Sequence, residues 1–496
     1  DLMQKFLVQL GGQNQFVLNL QYSNSSDISR YDKLVEERNG TLRYAEWYYG
    51  PQKRFLLSPQ LKIFPEKKFL NSGKITFAFQ KLEESRNNRF FNSLTRNFQR
   101  EKVNALSLNG DFEFQLKEEH SFSYGFEGVF NDISSYAHQY DLILQQNEII
   151  GSSPNLPIPT RYPNRGSSYG SYAVYLNWIW DLNSQLTLNA GLRLTSTHLR
   201  GKWGESYNVN ALLSSVRLDA EALTETLALT YRPNKKTQWN AILSNGFRNP
   251  NIDDVGKIRE SRGTLIVPNP MLFPEYAYNF EVGLTKYLNQ PKNYFSLRGF
   301  TTLLSRHIGR DAFTIFADQS TPSMNTILYN GEELSTFANN NLGNRYILGG
   351  SIDGNFSFTD KLSLRGDLNI IEAAKSMKYG PLPSISPVFG NLVLTYQKEA
   401  WFASMRYQFS GSKAPEDYSE GGEDGLDETP LISEDPELYA GTPAWSELSL
   451  LSQYQWNDKI HLRMGLDNIF DVHYRSFASG ISAPGRNFKL GVNIQF

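Results

Sequence analysis

The 496-residue sequence contains no cysteine, so it holds neither a disulfide nor a cysteine-based metal site. No segment approaches the ~20 apolar residues that a transmembrane helix needs. The formal net charge of −2 argues against nucleic acid as a partner. The six histidines show no metal-ligand spacing, and no Ser/His pair indicates a nucleophile with its base. These absences predict a protein that is not an enzyme and that needs no cofactor.

Aromatic residues are abundant: 8 Trp, 27 Tyr and 32 Phe make up 14% of the chain. Such side chains collect at the two interfaces of a bilayer. The C-terminal segment also alternates, because polar residues or glycine separate the apolar residues Phe488, Leu490, Val492, Ile494 and Phe496. A strand with this period of two has one apolar and one hydrophilic face, as in an outer-membrane β-barrel. An amphipathic strand of a soluble sandwich is the alternative for this segment alone.

The same alternation recurs along the chain. It is clear in the segments Lys74–Lys81, Ser121–Phe130, Tyr172–Leu194, Tyr276–Thr285, Trp401–Ser410 and Ile460–Asp467. When many such strands follow one another, their charged faces must contact water while their apolar faces contact lipid. A barrel with a water-filled interior meets both conditions. The sequence therefore predicts an all-β fold: an antiparallel up-and-down transmembrane β-barrel with about 18 to 20 strands.

The segments between strands have two lengths. Short polar turns are predicted at Asp181–Ser184, Pro233–Lys236, Asn289–Lys292, Thr359–Lys361, Gln397–Ala400 and Trp456–Lys459. Long segments lie at Ser25–Gly50, Ser134–Ser168, Gly201–Asp219, Arg248–Pro274, Arg310–Asn341 and Gly411–Pro443. Outer-membrane barrels have short periplasmic turns and long extracellular loops. We therefore expect Arg248–Pro274 and Glu416–Glu437 at one end, opposite the turns Pro233–Lys236 and Trp456–Lys459.

Two sequence motifs resemble those of one family, the TonB-dependent receptors of Gram-negative outer membranes. The first is an FRxPN segment followed by NPxLxPE, carried by Phe247, Arg248, Pro250, Asn251, Asn269, Pro270, Leu272, Pro274 and Glu275. The second is a closing signature, carried by Leu466, Asn468, Ile469, Phe470, Asp471, Tyr474, Gly485, Arg486 and Phe496. Prolines stiffen exposed loops and Asn or Asp side chains bond turns, so a structural role is favoured for these residues.

The resemblance implies a barrel of 22 strands preceded by a plug domain. Asp1–Asn24 resembles a barrel hairpin, so we expect residues 1–496 to be one barrel domain, with the plug and the first strands absent from this sequence. The implied function is import of a scarce ligand, foremost a ferric siderophore, with energy that the TonB–ExbB–ExbD complex delivers through the plug. A passive substrate-specific porin is one alternative. A receptor for haem or another large nutrient is the other, and His138 in a long segment keeps haem open.

Candidate ligand-binding residues lie in the long segments. Arginines could gather an anionic chelate and aromatic rings could stack on it, which indicates Arg248, Asn251, Arg259, Arg262, Trp47, Tyr48, Arg161 and Arg165. Arginines also suit an anionic lipopolysaccharide surface, and the aromatic residues suit a membrane-interface girdle. The acidic segment Glu416–Glu437 offers calcium ligands in Glu423, Asp424, Asp427 and Glu428, although a solvated acidic loop is the favoured interpretation.

Overall fold

Nineteen consecutive strands form the wall of the fold. The computed structural model describes residues 1–38, 40–65, 67, 69–146, 148–204, 215–261, 263–288, 292–315, 325–329, 332–432 and 435–495. The wall strands are β1 (Leu2–Gln9), β2 (Gln15–Asn24), β3 (Lys53–Ile63), β4 (Ser72–Phe90), β5 (Thr95–Lys117), β6 (His120–Gln145), β7 (Ser167–Asn183), β8 (Leu186–Lys202), β9 (Ser215–Asn234), β10 (Thr237–Arg248), β11 (Glu275–Tyr287), β12 (Tyr294–Ser305), β13 (Arg345–Ser357), β14 (Leu362–Ala373), β15 (Phe389–Lys398), β16 (Trp401–Ser410), β17 (Trp445–Gln455), β18 (Ile460–Asp467) and β19 (Asn487–Ile494).

Each wall strand pairs antiparallel with the next along the chain, from β1–β2 to β18–β19. The predicted up-and-down topology and strand number are therefore confirmed. The long connecting segments contribute three further strands to the same sheet, which then has 22 described strands. These three are Ile28–Ser29, Tyr44–Tyr49 and Glu148–Pro157.

Short and long connections alternate as predicted, except that β4 and β5 are joined at the long-loop end by residues 91–94 alone. Each odd-numbered wall strand leads to the next through a short connection, and five of the six predicted turns fall in this set. Residues 289–291 of the sixth, Asn289–Lys292, lie outside the described residues. Each even-numbered strand leads on at the opposite end, where Arg248–Pro274 and Glu416–Glu437 both lie. Two predicted loop boundaries were wrong. Residues from Ser134 to Gln145 continue β6, and β9 begins at Ser215, because several strands extend well beyond the height of the apolar belt.

The apolar face of the wall is exposed rather than packed in a core. Phe488, Leu490, Val492 and Ile494 are between 51% and 69% exposed, as the alternation predicts for an outer face. Phe496 lies outside the described residues. None of the described helices is long and apolar enough to cross a membrane.

Buried apolar residues instead gather at one end, in the loops and in the ends of the wall strands beside them. One cluster includes Leu199, Ile252, Val255 and Leu272, and a second includes Leu265, Val267, Ile315, Leu334 and Ala338. The described loop strands are Glu37–Arg38, Thr41–Leu42, Arg259–Ser261, Thr264–Ile266, Ile308–Ala312, Thr326–Tyr329, Glu332–Asn341, Leu431–Ile432 and Asp435–Tyr439. The described helices are Tyr31–Leu34 and Ile252–Val255, with 3₁₀ turns at Pro415–Asp417 and Leu426–Glu428. The loops are therefore a packed structure of their own.

Single cysteines can test the orientation of the wall, because the natural chain has none. Met377 lies in the loop between β14 and β15 and is fully exposed, whereas Lys235 lies in the turn between β9 and β10. We expect a membrane-impermeant maleimide to label Met377→Cys on intact cells, and to label Lys235→Cys only after the outer membrane is permeabilised. Equal labelling of both variants on intact cells would contradict the alternation.

Candidate ligand-binding site

The FRxPN motif builds the start of the loop between β10 and β11. Asn251 caps the short helix Ile252–Val255: its Oδ1 accepts from the backbone N–H groups of Asp253 (2.8 Å) and Asp254 (3.1 Å). The Asp254 carboxylate accepts from the backbone of Asn251 (3.0 Å) and from Arg248 (2.5 Å). These reciprocal bonds satisfy donors at the helix start. Arg248 and Asn251 are thus engaged in holding the loop.

The NPxLxPE motif ties this loop to the next one. Asn269 donates to the backbone carbonyl of Asn339 (2.8 Å), and its own Oδ1 accepts from the backbone of Met271 (3.0 Å). The backbone N–H of Phe273 donates to Asn341 (2.9 Å). Thr264–Ile266 also pairs in parallel with residues of Glu332–Asn341. The loops after β10 and β12 therefore share one small sheet.

Five loop-end segments enclose a cavity of about 230 Å³, here called the arginine cavity. Its lining includes the cations Arg30, Lys33, Arg43, Arg86, Arg161 and Arg259, and the aromatic residues Tyr44, Trp47, Tyr49, Phe90 and Tyr329. Glu260 is the one acidic residue among those that line it. The cavity therefore offers positive charge beside aromatic surface.

The strand Tyr44–Tyr49 supplies aromatic rings by alternation. Trp47 and Tyr49 lie opposite Asn88 and Arg86 of β4 and point into the cavity. Tyr48, the residue between them, points to the other face of the sheet and does not line it. Successive residues of a strand face opposite ways, so of the two predicted residues Trp47 lines the cavity and Tyr48 does not.

Three of the guanidinium groups are balanced by carboxylates. Arg30 pairs with Asp32 and also lies over the Trp47 ring, 4.8 Å from its centroid. Arg43, whose side chain is 9% exposed, bonds Glu36 (2.8 Å) and Glu260 from a different loop. Arg86 likewise pairs with two carboxylates, those of Glu84 and Glu101. Buried charges need such partners, and these contacts fix the walls of the cavity.

Arg161 and Arg259 are the less compensated cations. The contact of Arg161 with Asp253 is long, with 3.4 Å between the guanidinium nitrogen and the carboxylate oxygen. The buried Nε of Arg161 has no partner among the described residues. Across the described chain, no carboxylate lies within ion-pair distance of Arg259. Burial lowers the pKa of Arg259, and the nearby guanidinium groups of Arg310, Arg161 and Arg30 lower it further. An anion in the cavity would relieve this repulsion.

The other predicted residues lie elsewhere. Arg165 is outside the cavity lining, and Arg262 lies outside the described residues. Sequence reasoning missed Arg30, Lys33 and Arg43, which lie in the same long segment as Trp47, and also Arg86, which comes from β4. The aromatic cluster that contains Trp47 was the only sequence signal near them.

The acidic loop between β16 and β17 is organised around the buried carboxylate of Asp424. Asp424 is buried, accepts from the backbone of Ser384 (2.8 Å) and pairs with Lys413 (3.4 Å). Glu423 accepts from Ser419 (2.7 Å). In the described part of the chain, no group of three or more acidic or histidine side chains is arranged to hold a metal ion. The calcium candidates Glu423, Asp424, Asp427 and Glu428 and the favoured solvated loop stay predictions, although Asp424 itself is buried.

Comparison with known families decides the class of this fold. A family model described as "TonB dependent receptor-like, beta-barrel" matches residues 5–469. The chain belongs to the TonB-dependent receptor family. Its barrel accordingly lies in the outer membrane, with the turns periplasmic and the long loops extracellular. A search of curated proteins finds no match.

Solved structures of this family share the fold at low sequence identity. The Copper transporter OprC superposes with a TM-score of 0.70 at 13% identity, over 97% of this chain and 76% of that one. The siderophore receptor PirA from Acinetobacter baumannii gives 0.68 at 14%, over 99% and 70%. The ferric enterobactin receptor PfeA from Pseudomonas aeruginosa gives 0.70 at 14%, over 99% and 68%. These similarities establish the architecture and leave the ligand open.

The contact between the FRxPN helix and the loop after β6 should depend on pH. Asp253 accepts from Tyr162 (2.7 Å) and Lys257 (2.6 Å). Burial pushes the pKa of Asp253 upward, but the bonds from Lys257 and Tyr162 outweigh it and hold the pKa below its ordinary 3.8. A lowered folded-state pKa stabilises the contact above the unfolded-state value, and this stabilisation disappears as pH falls through the folded-state value.

We therefore expect the amide protection of Ile252–Val255 in hydrogen exchange to decrease from about pH 4 downward, after correction for intrinsic rates. Asp253→Asn should flatten this dependence. A profile in which the variant and the natural chain lose protection in parallel would show that Asp253 is not the group responsible.

Proposed function

We propose that this receptor binds an anionic ferric chelate at the arginine cavity and imports it with energy delivered by TonB. The observation that carries the proposal is the incomplete charge compensation of the lining. Four of its six cations pair with carboxylates, whereas Arg161 contacts Asp253 at 3.4 Å and Arg259 has no carboxylate partner among the described residues. Guanidinium groups bind oxyanions through two parallel hydrogen bonds, and this binding strengthens where water is excluded.

Aromatic rings also line the arginine cavity and offer flat surfaces to a ligand. Trp47 and Tyr49 pack edge to face with ring centroids 5.2 Å apart, and Tyr329 is so buried that its pKa is raised to about 12. Flat rings can stack on an aromatic chelating group beside the guanidinium groups. At about 230 Å³ the cavity is smaller than the ~300–1,000 Å³ sites of drug-sized ligands, so it suits one charged arm of a larger chelate.

The haem alternative has less support at this site. No histidine is among the residues that line the cavity. His138 lies on the outer face of β6, where its ring stacks on Tyr136 with a centroid distance of 4.9 Å. Similar solved structures include siderophore receptors, a haem–hemophore receptor and a copper transporter, so they support metal uptake as the general class and do not choose the ligand.

Energy coupling is the second half of the proposal. In the proposed mechanism the TonB–ExbB–ExbD complex acts through a plug domain, and the loops release the chelate into the barrel. The passive-porin alternative requires no energy, so uptake of ⁵⁵Fe-labelled tris-catecholate, hydroxamate and citrate chelates should be measured with and without a protonophore. Uptake that is insensitive to the protonophore would favour the porin.

The binding half is tested by charge removal. We expect Arg259→Gln and Arg161→Gln each to weaken binding of the preferred ferric chelate at least tenfold, about 1.4 kcal/mol, because each removes a poorly compensated cation. Arg165→Gln removes the same charge from outside the cavity lining and is the matched control. Affinity can be followed by quenching of tryptophan fluorescence in the purified protein.

Two outcomes would contradict the site. One is unchanged affinity in both cavity variants; the other is an equal loss in Arg165→Gln, which would indicate a general charge effect. Tighter binding of a neutral chelate by Arg259→Gln would strengthen the assignment, because it would show that this position selects ligand charge.

A further inference from the structure

A serine, a histidine and an aspartate form a hydrogen-bonded row on the outer face of β8 and β9. Nδ1 of His198 lies 2.7 Å from Oδ1 of Asp219, and Nε2 of His198 lies 3.3 Å from Oγ of Ser196. An ionised carboxylate can only accept, so Nδ1 carries the ring hydrogen and Nε2 accepts from the Ser196 hydroxyl. This is the arrangement of an acyl-transfer triad, which is recognised by its geometry and not by its fold.

The register of the two strands places these groups together. Ser196 and His198 are two residues apart on β8, so their side chains leave the same face, and Asp219 lies opposite His198 on β9. Two guanidinium groups fix the carboxylate: Arg200 contacts Oδ1 at 2.7 Å and Arg217 contacts Oδ2 at 2.9 Å. The sequence alone does not indicate the triad, because only the pairing of β8 with β9 brings Asp219 to His198.

The triad lies where the apolar face of β8 ends. Leu192 and Leu194 are each 53% exposed on this face, and Ser196 and His198 follow them toward the extracellular end. Ester groups join acyl chains to head groups, so in a bilayer they lie at the boundary between the hydrocarbon core and the polar layer. Contact with lipid is expected of any barrel wall, whereas a nucleophile with its base at this depth is not.

We propose that Ser196 and His198 hydrolyse carboxylic esters of outer-leaflet lipids, an activity separate from transport. Oγ of Ser196 attacks the ester carbonyl carbon while its proton passes to Nε2 of His198. That proton then passes to the leaving alcohol, and an acyl-serine ester remains. Water attacks this ester and gives a proton to His198, which returns it to Ser196 as the fatty acid leaves. Asp219 is a positioning residue that holds the tautomer of His198.

Two neighbours of Ser196 act on the oxygen that becomes negative during the attack. Tyr172 lies opposite Ser196 on β7, and its ring centroid is 6.1 Å from that of His198. In the described part of the chain the Tyr172 hydroxyl has no hydrogen-bond partner, so it is available to donate to this oxygen. Glu221 lies opposite Ser196 on β9, where its carboxylate repels the same charge.

The nucleophile is tested with an alkyl fluorophosphonate, which bonds to an activated serine and releases fluoride. We expect the purified chain in micelles to gain one adduct, mapped to Ser196 by mass spectrometry, and Ser196→Ala to gain none. His198→Asn should slow the labelling by roughly a hundredfold. Ser452→Ala is the matched control and should label as the natural chain does. Ser452 lies on β17 opposite Ala403 and bonds no histidine among the described residues.

Hydrolysis is measured as release of oleate from dioleoyl phosphatidylethanolamine in mixed micelles. Asp219→Asn should lower kcat by roughly a hundredfold with little change in KM, and Asp219→Glu should restore part of it. Tyr172→Phe should lower kcat by about tenfold, whereas Glu221→Gln should raise it. Labelling that persists in Ser196→Ala would overturn the proposal. So would equal oleate release by the natural chain, Ser196→Ala and His198→Asn.

Discussion

The structure depends on one constraint: a chain that crosses hydrocarbon must pair its backbone N–H and C=O groups within itself. A wall of antiparallel neighbours meets this requirement from β2 to β18, each of which is bonded on both sides. Because side chains then alternate between lipid and lumen, half of each strand is hydrophilic, and mean hydropathy falls to −0.46. The same alternation gives the wall an apolar outer face and a hydrophilic inner face.

The loops are held together differently from the wall, because they lie outside the lipid and are not all paired in the main sheet. Two buried apolar clusters and the bonds of Asn251, Asp254 and Asn269 hold them. The position of Arg259 follows from this packing, since its strand pairs with Thr264–Ile266, whose Leu265 and Ile266 are buried. A cation without a carboxylate partner is costly in such a place, and the surrounding hydrogen bonds and apolar burial offset the cost.

Periodicity predicted the wall from sequence because a period of two is a local property. A cluster of aromatic residues indicated Trp47, but which residues of a short loop strand face the cavity depends on its partner strand. The sequence alone could therefore not distinguish Trp47 from Tyr48. Arg86 meets Arg30 and Arg43 only through the pairing of the strand Tyr44–Tyr49 with β4, which composition does not encode. Asp424 illustrates the same limit, since its partner Lys413 and the backbone of Ser384 are brought to it by folding of two loops.

The three parallel pairs between Thr264–Ile266 and Ser335–Phe337 join two extracellular loops into one unit. An insertion or deletion within either segment would shift a ladder that belongs to both. Length variation among descendants of this sequence should therefore concentrate at hairpin tips beyond the ladder. Antibodies and phages that select for altered surfaces would then find those tips changeable, while the shared ladder beneath them would evolve as slowly as the barrel.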